Sequence, residues 1–395
     1  ITPSYPRYIG DWKGGEWTRY LSNALLTKSV NTEVVCADDI LVDEENFNKK
    51  IKIHRFRYWF TRKNQVLGYG IMENIKMYGL AKIQIPFFLL SFFIKSLKVA
   101  RACDLMHAQW IYSGLIAIII KFFYKKPIVL TLHNANFKDY PEWVVKIVLK
   151  NVDAIISPHP ELTARANTYD CSEIFEIKNL IDYEKFNYKN KEKYSSLKIM
   201  ADLKEKLINK TVVSFIARFD DWKDPIMFVN AIPKILKEND NIHFLIVGEG
   251  FLEKKIRNII NEFKIYSHVT FLGSRKDIEN ILSITDIFTA LSTLENIWSV
   301  ILIETVAMKV PCVITKAGET EKYFSNDEDA ILVPVGDSNA LSDGIISLIN
   351  DYKLRVDLAD NAYALLERHG FLSVEKVAED TKRVYEYVID GGNNF

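Results

Sequence analysis

The stretch Val212-Val-Ser-Phe-Ile-Ala-Arg-Phe-Asp-Asp-Trp-Lys-Asp-Pro225 decides the fold class. Its first five residues form a nearly continuous apolar run, which is typical of a parallel strand covered on both faces. A polar loop follows, and Pro225 is well placed to open a helix because proline in the first turn loses no helical hydrogen bond. The order of strand, loop and helix predicts a repeating unit of an α/β domain.

The same order recurs on both sides of this stretch. After another strand, for example, Leu252, Ile256 and Ile260 repeat at helical spacing. Strands and helices that alternate at this spacing predict parallel sheets. The other predicted strands are Glu33–Ala37, Asp104–His107, Ile128–Leu132, Asp153–Ile156, Ile242–Val247, Val269–Phe271, Asp286–Thr289 and Pro311–Thr315.

A break in the alternation divides the chain. Residues 187–206 are polar, rich in lysine and poor in apolar residues, and the alternation restarts after them. We therefore predict a Rossmann-like domain over 1–186, a linker over 187–206, a second Rossmann-like domain over 207–372, and a C-terminal helix within 373–395 that can pack back on the first domain. Two such domains predict an interdomain cleft at the carboxyl ends of both sheets, where open α/β sheets bind ligands.

Length and composition exclude several classes of protein. The 395 residues suffice for two domains, and 48% hydrophobic with 26% charged residues excludes a disordered or collagen-like chain. Lys and Arg number 51 and so do Asp and Glu, which disfavours a dedicated nucleic-acid binder. The four cysteines form no CxxC pair, which excludes a zinc ribbon and a small disulfide framework and favours a reducing, cytoplasmic compartment.

The N-terminus and the apolar runs predict neither a signal peptide nor a membrane span. Ile1–Pro6 lacks both the charged and the apolar region of a signal peptide, and because it lacks a methionine we expect that a few native residues precede it. No apolar run reaches the ~20 residues that a membrane span needs. Pro86–Ile94 and Leu115–Ile120 are bounded by lysines and are predicted to be buried or interfacial helices.

Charge is divided unequally along the chain. Residues 1–190 carry 26 Lys and Arg against 19 Asp and Glu, and within 49–101 twelve cations face one acidic residue, Glu73. Basic and aromatic residues interleave in Lys52–Lys63, and Pro86–Ile94 contains four phenylalanines. This pattern predicts peripheral contact with an anionic membrane or with a lipid-linked phosphate. The alternative is a buried helix with a solvated basic rim.

Arg218 and Lys223 are the first candidates for a functional site. They lie five residues apart on the loop after the strand Val212–Ile216. Arginine offers a planar fork of donors and lysine a point charge, so the pair suits a diphosphate. On this motif alone, two solvated surface cations are an equal alternative.

Glycines at strand ends and helix starts are the second group of candidates. Gly248 and Gly250 follow one apolar strand, Gly273 ends another, and Gly14 and Gly15 precede a helix. Such glycines allow the backbone to approach an anion at a helix N-terminus. Each is a weak signal alone, because tight turns also use glycine.

Three further polar residues are candidates. Glu304 lies among apolar residues of a helix that begins near Ser299, where a carboxylate is rarely buried without a partner. At a cleft it could accept hydrogen bonds from ribose hydroxyls. His107 and His133 each end an apolar strand, and two histidines at one edge of a sheet favour a role in a cleft over a structural one.

The sequence predicts no metal site and no cofactor. No spacing of His, Cys, Asp or Glu residues is typical of a protein metal site. Asp327-Glu328-Asp329 matches a DxD motif formally, but it precedes an apolar run and is expected in a solvated turn.

In their order, these motifs resemble the retaining glycosyltransferases of the GT-B fold in glycosyltransferase family 4, the group 1 glycosyl transferases. The resemblance covers nearly the whole chain and is specific to the family, but it does not identify the substrate. The N-terminal motifs that carry it are Ile1–Pro6 with Gly14-Gly15-Glu16, Met106–Trp110, Leu130–His133 and Ile177–Phe186. The C-terminal motifs are Arg218 to Lys223, Gly248 to Gly250, Phe271–Gly273 and the helix that carries Glu304.

The resemblance implies a nucleotide-sugar donor, an unknown acceptor and no metal. Arg218 and Lys223 would bind the diphosphate and stabilise it as it leaves, and Glu304 would hold the ribose. His133 would face the sugar near its anomeric carbon, and Gly15 would lie under the phosphates. Gly248, Gly273, Ser299 and Val300 would complete the donor site, and Gly14, His107 and Trp110 would lie on the acceptor side.

One departure from the family pattern concerns Glu295 and Asn296. The family separates its two glutamates by seven residues, whereas eight separate Glu295 from Glu304, and Asn296 takes the expected position. The additional residue falls in 295–299, where a loop absorbs it more easily than a helix. Both residues are candidates to hold the transferred sugar. We favour Glu295 because a carboxylate suits the positive charge that develops on that sugar.

Two alternatives to a transferase remain open. A nucleotide-sugar epimerase of the GT-B fold would isomerise the donor without an acceptor. A non-catalytic paralogue would bind the sugar nucleotide unchanged, and the altered spacing of the glutamates is compatible with it. Analysis of the products separates all three.

Overall fold

A computed structural model gives the protein two compact units. The first unit comprises residues 1–180 and 373–395, and the second comprises 181–372. The structure describes the chain except for residues 10, 12–13, 46, 134–136, 138–139, 180, 197–202, 204, 295–298 and 392–395, and except for the side chains of 72, 73, 76 and 161.

The first unit is an α/β domain whose described strands are all parallel to their neighbours. Its strands are β1 Glu33–Ala37, β2 Lys52–Phe56, β3 Met106–Gln109, β4 Ile128–Thr131, β5 Ala154–Ser157 and β6 Ile174–Glu176. Its helices are α1 Glu16–Thr27, α2 Ile71–Met77, α3 Gly79–Ala100, α4 Ile111–Tyr124, α5 Glu142–Asn151 and α6 Pro160–Ala166, with a C-terminal helix over Val374–Ile389.

An extended N-terminal segment joins the two sheets of the first unit. One sheet has the order β3-β4-β5-β6, and the other pairs β1 with β2. The backbone N–H of Thr2 donates to Val35 of β1 (3.1 Å), and the carbonyl of Ile1 accepts from Gln109 of β3 (2.9 Å). Residues 1–3 therefore lie between β1 and β3. Strands β1 and β2 are on one side of this segment, and β3 to β6 are on the other.

Helices cover both faces of this sheet. On one face α3, α4 and α5 contribute Phe88, Phe92, Ile120 and Val148 to a buried core. On the other face α1 and the C-terminal helix pack against β4 and β5. Strands covered on both faces must be apolar throughout, and β4 and β5 are buried at every position.

The second unit is a six-stranded parallel sheet with helices on both faces. Its strands are β7 Thr211–Ile216, β8 Ile242–Val247, β9 Val269–Gly273, β10 Ile287–Ala290, β11 Cys312–Thr315 and β12 Ile331–Val333. Its helices are α7 Lys191–Ser195, α8 Pro225–Glu238, α9 Glu253–Glu262, α10 Ile278–Ser283, α11 Val300–Ala307, α12 Thr320–Tyr323, α13 Ser338–Asn350 and α14 Tyr352–Arg368, so the C-terminal helix of the first unit is α15.

The strand order of the second unit, β12-β11-β10-β7-β8-β9, places β7 at a change of direction. From β7 the chain builds β8 and β9 on one side and then returns to build β10, β11 and β12 on the other. The loops after β7 and β10 therefore diverge at the carboxyl edge of the sheet, where α/β domains bind their ligands. The fold class predicted from the sequence, two α/β domains with parallel sheets, is confirmed.

The boundary between the units differs from the prediction. It falls at residue 180, because Ile181 and Phe186 are buried in the core of the second unit. The region predicted as a linker, 187–206, lies inside that unit, where α7 packs against α10. The second boundary falls after Leu372, and α15 belongs to the first unit.

The basic segment Lys52–Lys63 is not one surface. Its first part is strand β2, and three of its cations form ion pairs within the unit: Lys52 with Glu33, Arg55 with Glu44, and Arg62 with Asp38. The Arg55 guanidinium also donates to the hydroxyl of Tyr69 and to the carbonyl of Pro6. Much of the positive charge in this segment therefore stabilises the fold, whereas Arg57 and Lys63 are exposed.

Candidate active site

The loop after β7 positions Arg218 and Lys223 around one carboxylate, that of Asp220. Asp220 Oδ2 forms a salt bridge with the Arg218 guanidinium (2.8 Å). Its other oxygen, Oδ1, accepts hydrogen bonds from the backbone N–H groups of Trp222 and Lys223, both at 3.1 Å. Asp220 thus closes a turn that ends at Lys223 and orients the Arg218 side chain.

The loop after β10 is bonded to the loop after β7. The backbone N–H of Thr293 donates to the carbonyl of Trp222 (2.9 Å), and the Thr293 hydroxyl donates to the carbonyl of Asp221 (3.4 Å). Beyond this turn, α8 begins at Pro225, as predicted, with Asp224 as its N-cap accepting from Met227 N–H (3.0 Å). The loop that carries Arg218 and Lys223 is therefore fixed by Asp220 and Asp224 and by the hydrogen bonds from the loop after β10.

Gly248 and Gly250 let the loop after β8 cross the loop after β7. A Cβ on Gly248 would lie 1.9 Å from the carbonyl oxygen of Ala217, and one on Gly250 would lie 2.4 Å from that of Phe219. The backbone N–H of Gly248 in turn donates to the carbonyl of Gly273 at the end of β9 (2.8 Å). The structure gives these glycines a role in packing the loop beside Arg218, and their predicted contact with the donor stays a prediction.

Helix α11 follows the β10 loop and carries the remaining described candidates of this unit. Ser299 is its N-cap, and its buried Oγ has no hydrogen-bond partner among the residues that the structure describes. Val300 and Glu304 lie one turn apart on the half-buried side of the helix, whereas Leu302 and Ile303 are buried. Glu295 and Asn296 lie outside the described residues, so the register of the glutamates stays a prediction.

Arg218, Lys223, Gly248, Gly273 and Ser299 all follow strands of one parallel sheet at its carboxyl edge. The strands that carry them, β10, β7, β8 and β9, are consecutive neighbours, and Glu304 follows within the second turn of α11. The elements of the second unit thus bring these described candidates to one edge. Asp220 and Thr293, which fix the loops there, were not singled out from the sequence.

In the first unit, Gly14 and Gly15 are needed for close packing. A Cβ on Gly14 would lie 2.5 Å from Cα of Pro6. Gly15 is the N-cap of α1 with φ 74°, and a Cβ there would lie 2.8 Å from the indole ring of Trp17. Only glycine adopts this backbone conformation without strain, and the indole covers the face where a side chain would stand.

Trp17, Trp110 and His133 form an aromatic cluster at the carboxyl edge of the first sheet. The His133 ring lies 4.6 Å from the Trp17 ring and 4.9 Å from the Trp110 ring. Trp110 has a positive φ of 75°, a conformation that costs energy for a bulky residue and is often found at functional sites. His133 Nε2 lies 2.5 Å from Gln109 Oε1 and 3.3 Å from Trp17 Nε1.

His107 occupies the centre of a hydrogen-bond network. Its Nδ1 lies 2.7 Å from the Tyr385 hydroxyl of α15, and its Nε2 lies 2.6 Å from the Thr131 hydroxyl. The Gln109 side-chain amide lies 3.1 Å from His107 Nε2 and so links the two histidines. Both ring nitrogens of His107 thus have partners inside the unit, and its predicted contact with an acceptor stays a prediction.

Burial keeps these histidines neutral. It lowers the pKa of His133 and that of His107 to about 3, because a buried imidazolium loses its hydration. His159, at the N-cap of α6, has its pKa lowered to about 4 by burial and by the nearby charge of Lys178. Near pH 7 the site therefore offers neutral imidazoles, which can donate or accept a proton in a hydrogen bond but carry no charge.

A small open pocket of about 30 Å³ adjoins His133 within the first unit. Its polar lining comes from the ends of β3, β4 and β6 and from two helices, with apolar side chains between. Burial lowers the pKa of Lys178, the cation in this lining. The polar lining residues are Trp17, Gln109, Thr131, His133, Lys178, Asn179 and Thr381.

Sequence analysis missed several residues of this pocket. Gln109 and Thr131 belong to motifs that were quoted for their histidines, so their position beside those histidines was the available signal. Lys178 follows β6, a strand of three residues that is too short to show a pattern. Tyr385 lies 278 residues from His107, and no local signal connects them.

Comparison with known proteins was made on sequence and on structure. Residues 200–365 match the family described as glycosyl transferases group 1. A UDP-Gal:alpha-D-GlcNAc-diphosphoundecaprenol alpha-1,3-galactosyltransferase of Escherichia coli is 25% identical over 273 residues, which cover 64% of this chain and 68% of that protein. A phosphatidyl-myo-inositol mannosyltransferase of Mycobacterium leprae is 25% identical over 68% of this chain and 69% of that protein.

The solved structure of Anabaena HepE in complex with UDP and glucose superposes with a TM-score of 0.74 at 17% identity and covers 98% of both chains. This likeness shows the fold, and the family match covers the sheet edge with Arg218, Lys223 and Glu304. The protein is thus a glycosyltransferase with the GT-B fold, and its match to the group 1 glycosyl transferases lies within the second unit, over residues 200–365.

Proposed function

We propose that the protein transfers a hexose-type sugar from a nucleoside-diphosphate sugar to a glycan, lipid-linked or small-molecule acceptor with retention of the anomeric configuration, and that it needs no metal. The observation that carries the proposal is the loop after β7, where one carboxylate, Asp220, holds both Arg218 and the turn ending at Lys223. Two cations fixed on a strand-end loop suit a diphosphate leaving group.

The chemical step builds negative charge on the phosphate oxygen that leaves the sugar. In the proposed reaction the Arg218 fork and the Lys223 ammonium stabilise that oxygen, which lowers the barrier because the cations need little reorganisation. Asp220 would preserve this arrangement before the donor binds. The two cations supply the positive charge that a divalent metal supplies in other enzymes.

The rest of the donor would be held by α11 and its flanking loop. Glu304 would accept hydrogen bonds from the ribose hydroxyls, and Ser299, whose Oγ is buried, would contribute a hydroxyl at the N-terminus of α11. Glu295 or Asn296 would hold the transferred sugar. Because the E. coli relative is named for UDP-galactose and the HepE complex contains UDP, UDP-sugars are the first donors to test.

The acceptor would bind to the first unit, with one of its polar groups at the small pocket beside His133. Its lining combines Lys178, amide groups and neutral imidazole with apolar side chains, which suits an acceptor with hydroxyl groups and negative charge. The names of both curated relatives specify lipids: an undecaprenol-linked sugar and phosphatidyl-inositol. A lipid-linked acceptor is accordingly the leading candidate.

We place the reaction in the cytoplasm, at the inner face of a membrane. All four cysteines are free thiols, as expected in a reducing compartment. A lipid-linked acceptor would require the enzyme to work at a membrane surface.

The test is a panel of nucleotide sugars followed by product analysis. A cognate donor at about 100 times its Kd should stabilise the fold by ~2.7 kcal/mol, which thermal unfolding detects. The donor that stabilises the protein is then incubated with candidate acceptors, and NMR of the product gives the anomeric configuration. Inversion of that configuration contradicts the retaining mechanism. A donor isomerised without an acceptor indicates the epimerase, and a donor that binds unchanged with every acceptor indicates the non-catalytic paralogue.

A further inference from the structure

Helix α3 is apolar on two opposite sides. One side is buried against β1, β2 and α4, whereas the other is exposed and carries a row of large apolar residues at alternating spacings of three and four. We call this row the α3 stripe; it consists of Leu80, Ile83, Phe87, Leu90 and Ile94. A helix on the surface of a globular domain normally presents polar residues to water, so the stripe is unusual.

Exposed and half-buried aromatic residues extend the stripe. Beside its middle the rings of Trp59 and Phe87 lie 5.3 Å apart, and Phe60, next in sequence to Trp59, is 80% exposed. Near its C-terminal end Phe123 of α4 lies 6.3 Å from Phe93 of α3. Phe122, next along α4, is 74% exposed. These residues and the α3 stripe form one surface, the apolar face.

Exposed cations border the apolar face. Lys82 flanks the α3 stripe, and Lys98 and Arg101 lie four and seven residues after Ile94, on the same side of the helix axis. Lys125 lies 5.2 Å from the centroid of the Phe122 ring. Residues 79–103 and 111–126 contain no acidic residue, so the charge along both helices is entirely positive.

The helix α3 does not itself span a membrane in this fold. It is the one helix in the described part of the chain that is long and apolar enough to do so, with 22 residues. However, its inner side is tied to the domain by Gln84, which accepts from Val66 N–H (3.1 Å) and donates to the carbonyl of Asn64 (2.6 Å). Phe88 and Phe92 on the same side are buried in the core. Only the outer side is available to another surface.

We propose that the apolar face docks on an anionic lipid bilayer, with the α3 stripe in the interface and the bordering cations at the lipid headgroups. A second copy of this chain is a poor occupant, because a twofold contact would set the cations of both copies against one another. Aromatic and aliphatic groups ringed by lysine and arginine match the interfacial layer of an anionic leaflet. This inference goes beyond the proposed reaction, and its test needs neither donor nor acceptor.

The experiment measures co-sedimentation of the full-length protein with two kinds of vesicle, one of phosphatidylcholine alone and one with about a third phosphatidylglycerol. We expect binding to the anionic vesicles that weakens as salt is raised, because the cations near the surface are screened within a Debye length. Binding to neutral vesicles should be much weaker. Equal binding to both vesicles, or binding to neither, overturns the proposal.

Paired variants separate the apolar and the electrostatic contributions. Ile83→Gln with Leu90→Gln should lower the partition coefficient more than tenfold, because exposed side chains that enter the interface lose their apolar gain. Each of Lys82→Gln and Lys98→Gln should lower it about fivefold, corresponding to ~1 kcal/mol for one cation. These side chains are exposed, so thermal unfolding should be unchanged. The matched controls on the second unit are Ile208→Gln and Lys353→Gln, which are also exposed.

Two outcomes of the variant series also count against the proposal. Binding that survives the Ile83 and Leu90 substitutions would show that the membrane contact lies elsewhere. A concentration-dependent dimer in sedimentation velocity that those same substitutions abolish would show that a second copy covers the apolar face.

Discussion

The two units hold their candidate residues in opposite ways. In the second unit the cations stand on a loop, Arg218 is 46% exposed at its side chain, and one carboxylate and two glycine crossings hold the loop. In the first unit the imidazoles are half-buried, neutral and linked through Gln109. An exposed guanidinium keeps much of its hydration until a ligand arrives, whereas neutral groups can be packed in advance. We therefore expect substitutions that remove a charge to affect the second unit, and protonation of the histidines, which adds a charge, to destabilise the first.

The largest expected effect is on turnover, from the charge of the second unit. Lys223→Ala should lower kcat by about 10²–10³, as removal of a single preorganised donor does elsewhere. Steady-state assays with a cognate donor measure it, and Lys254→Ala on α9, also an exposed lysine, is the matched control. A loss no greater than that of the control would remove Lys223 from the site.

The second effect is acid sensitivity of the first unit. The folded-state pKa of His107 and His133 is about 3 against ~6.5 when unfolded, so the unfolded chain takes up protons first as the pH falls. The contribution of these histidines to the free energy of unfolding is fully present above pH ~6.5 and is lost progressively toward pH ~3. At pH 5 each histidine has lost ~2 kcal/mol of it. Urea unfolding at several pH values measures how the free energy of unfolding depends on pH.

The control for this prediction compares the histidines of the two units and a variant that lacks His107. His159 is a third histidine of the first unit whose pKa is lowered, to about 4, whereas in the second unit burial lowers the pKa of His243 to about 4. His107→Gln should flatten the dependence of unfolding on pH, even where it lowers stability at pH 7. An unchanged slope would mean that His107 is protonated in the folded protein.

A smaller effect should follow from the carboxylate that organises the loop. Asp220→Asn keeps an acceptor for the backbone N–H groups but loses the charge that holds Arg218 at 2.8 Å, and we expect about a tenfold loss of kcat/KM. Asp221→Asn, at the exposed neighbouring position, should leave kcat/KM unchanged. If both variants behave alike, the loop does not depend on Asp220.

The smallest effect concerns the hydroxyl that α15 supplies to the first unit. Tyr385→Phe removes the partner of His107 Nδ1 and should lower the free energy of unfolding by ~1–1.5 kcal/mol. Denaturant unfolding measures the change, with Tyr352→Phe on the exposed side of α14 as the control. An unfolding free energy equal to that of the control would show that the hydroxyl is dispensable.

The sequence predicted the second unit better than the first for a physical reason. Buried parallel strands such as Ile242–Val247 are continuous apolar runs, and the loops that follow them carry charged residues and glycines within a few positions. Strand β2 is polar and mixed, so it was interpreted as a basic surface segment, and β6 and β12, with three residues each, are too short to be predicted as strands.

The candidate residues, too, were predicted from the sequence only where a local pattern shows their chemistry. Arg218 and Lys223 were found because their chemistry is visible in nine consecutive residues. The hydrogen bonds of His107 join β3, β4 and α15, and the last of these lies 278 residues away. Three-dimensional networks of this kind leave no local pattern, so the hydrogen-bond partners of His107 emerged only from the fold.

The return of α15 to the first unit sets an order of events during synthesis. Val377, Ala378 and Val388 of α15 complete a core with Val129 of β4 and Ile156 of β5, which the ribosome releases more than 200 residues earlier. Domains fold as units once their chain has emerged. The second unit is continuous in sequence and can fold first. Until α15 is made, the first unit still exposes the side of β4 and β5 that α15 covers. We therefore expect the nascent first unit to be the half of the molecule that is more prone to aggregate until α15 leaves the exit tunnel.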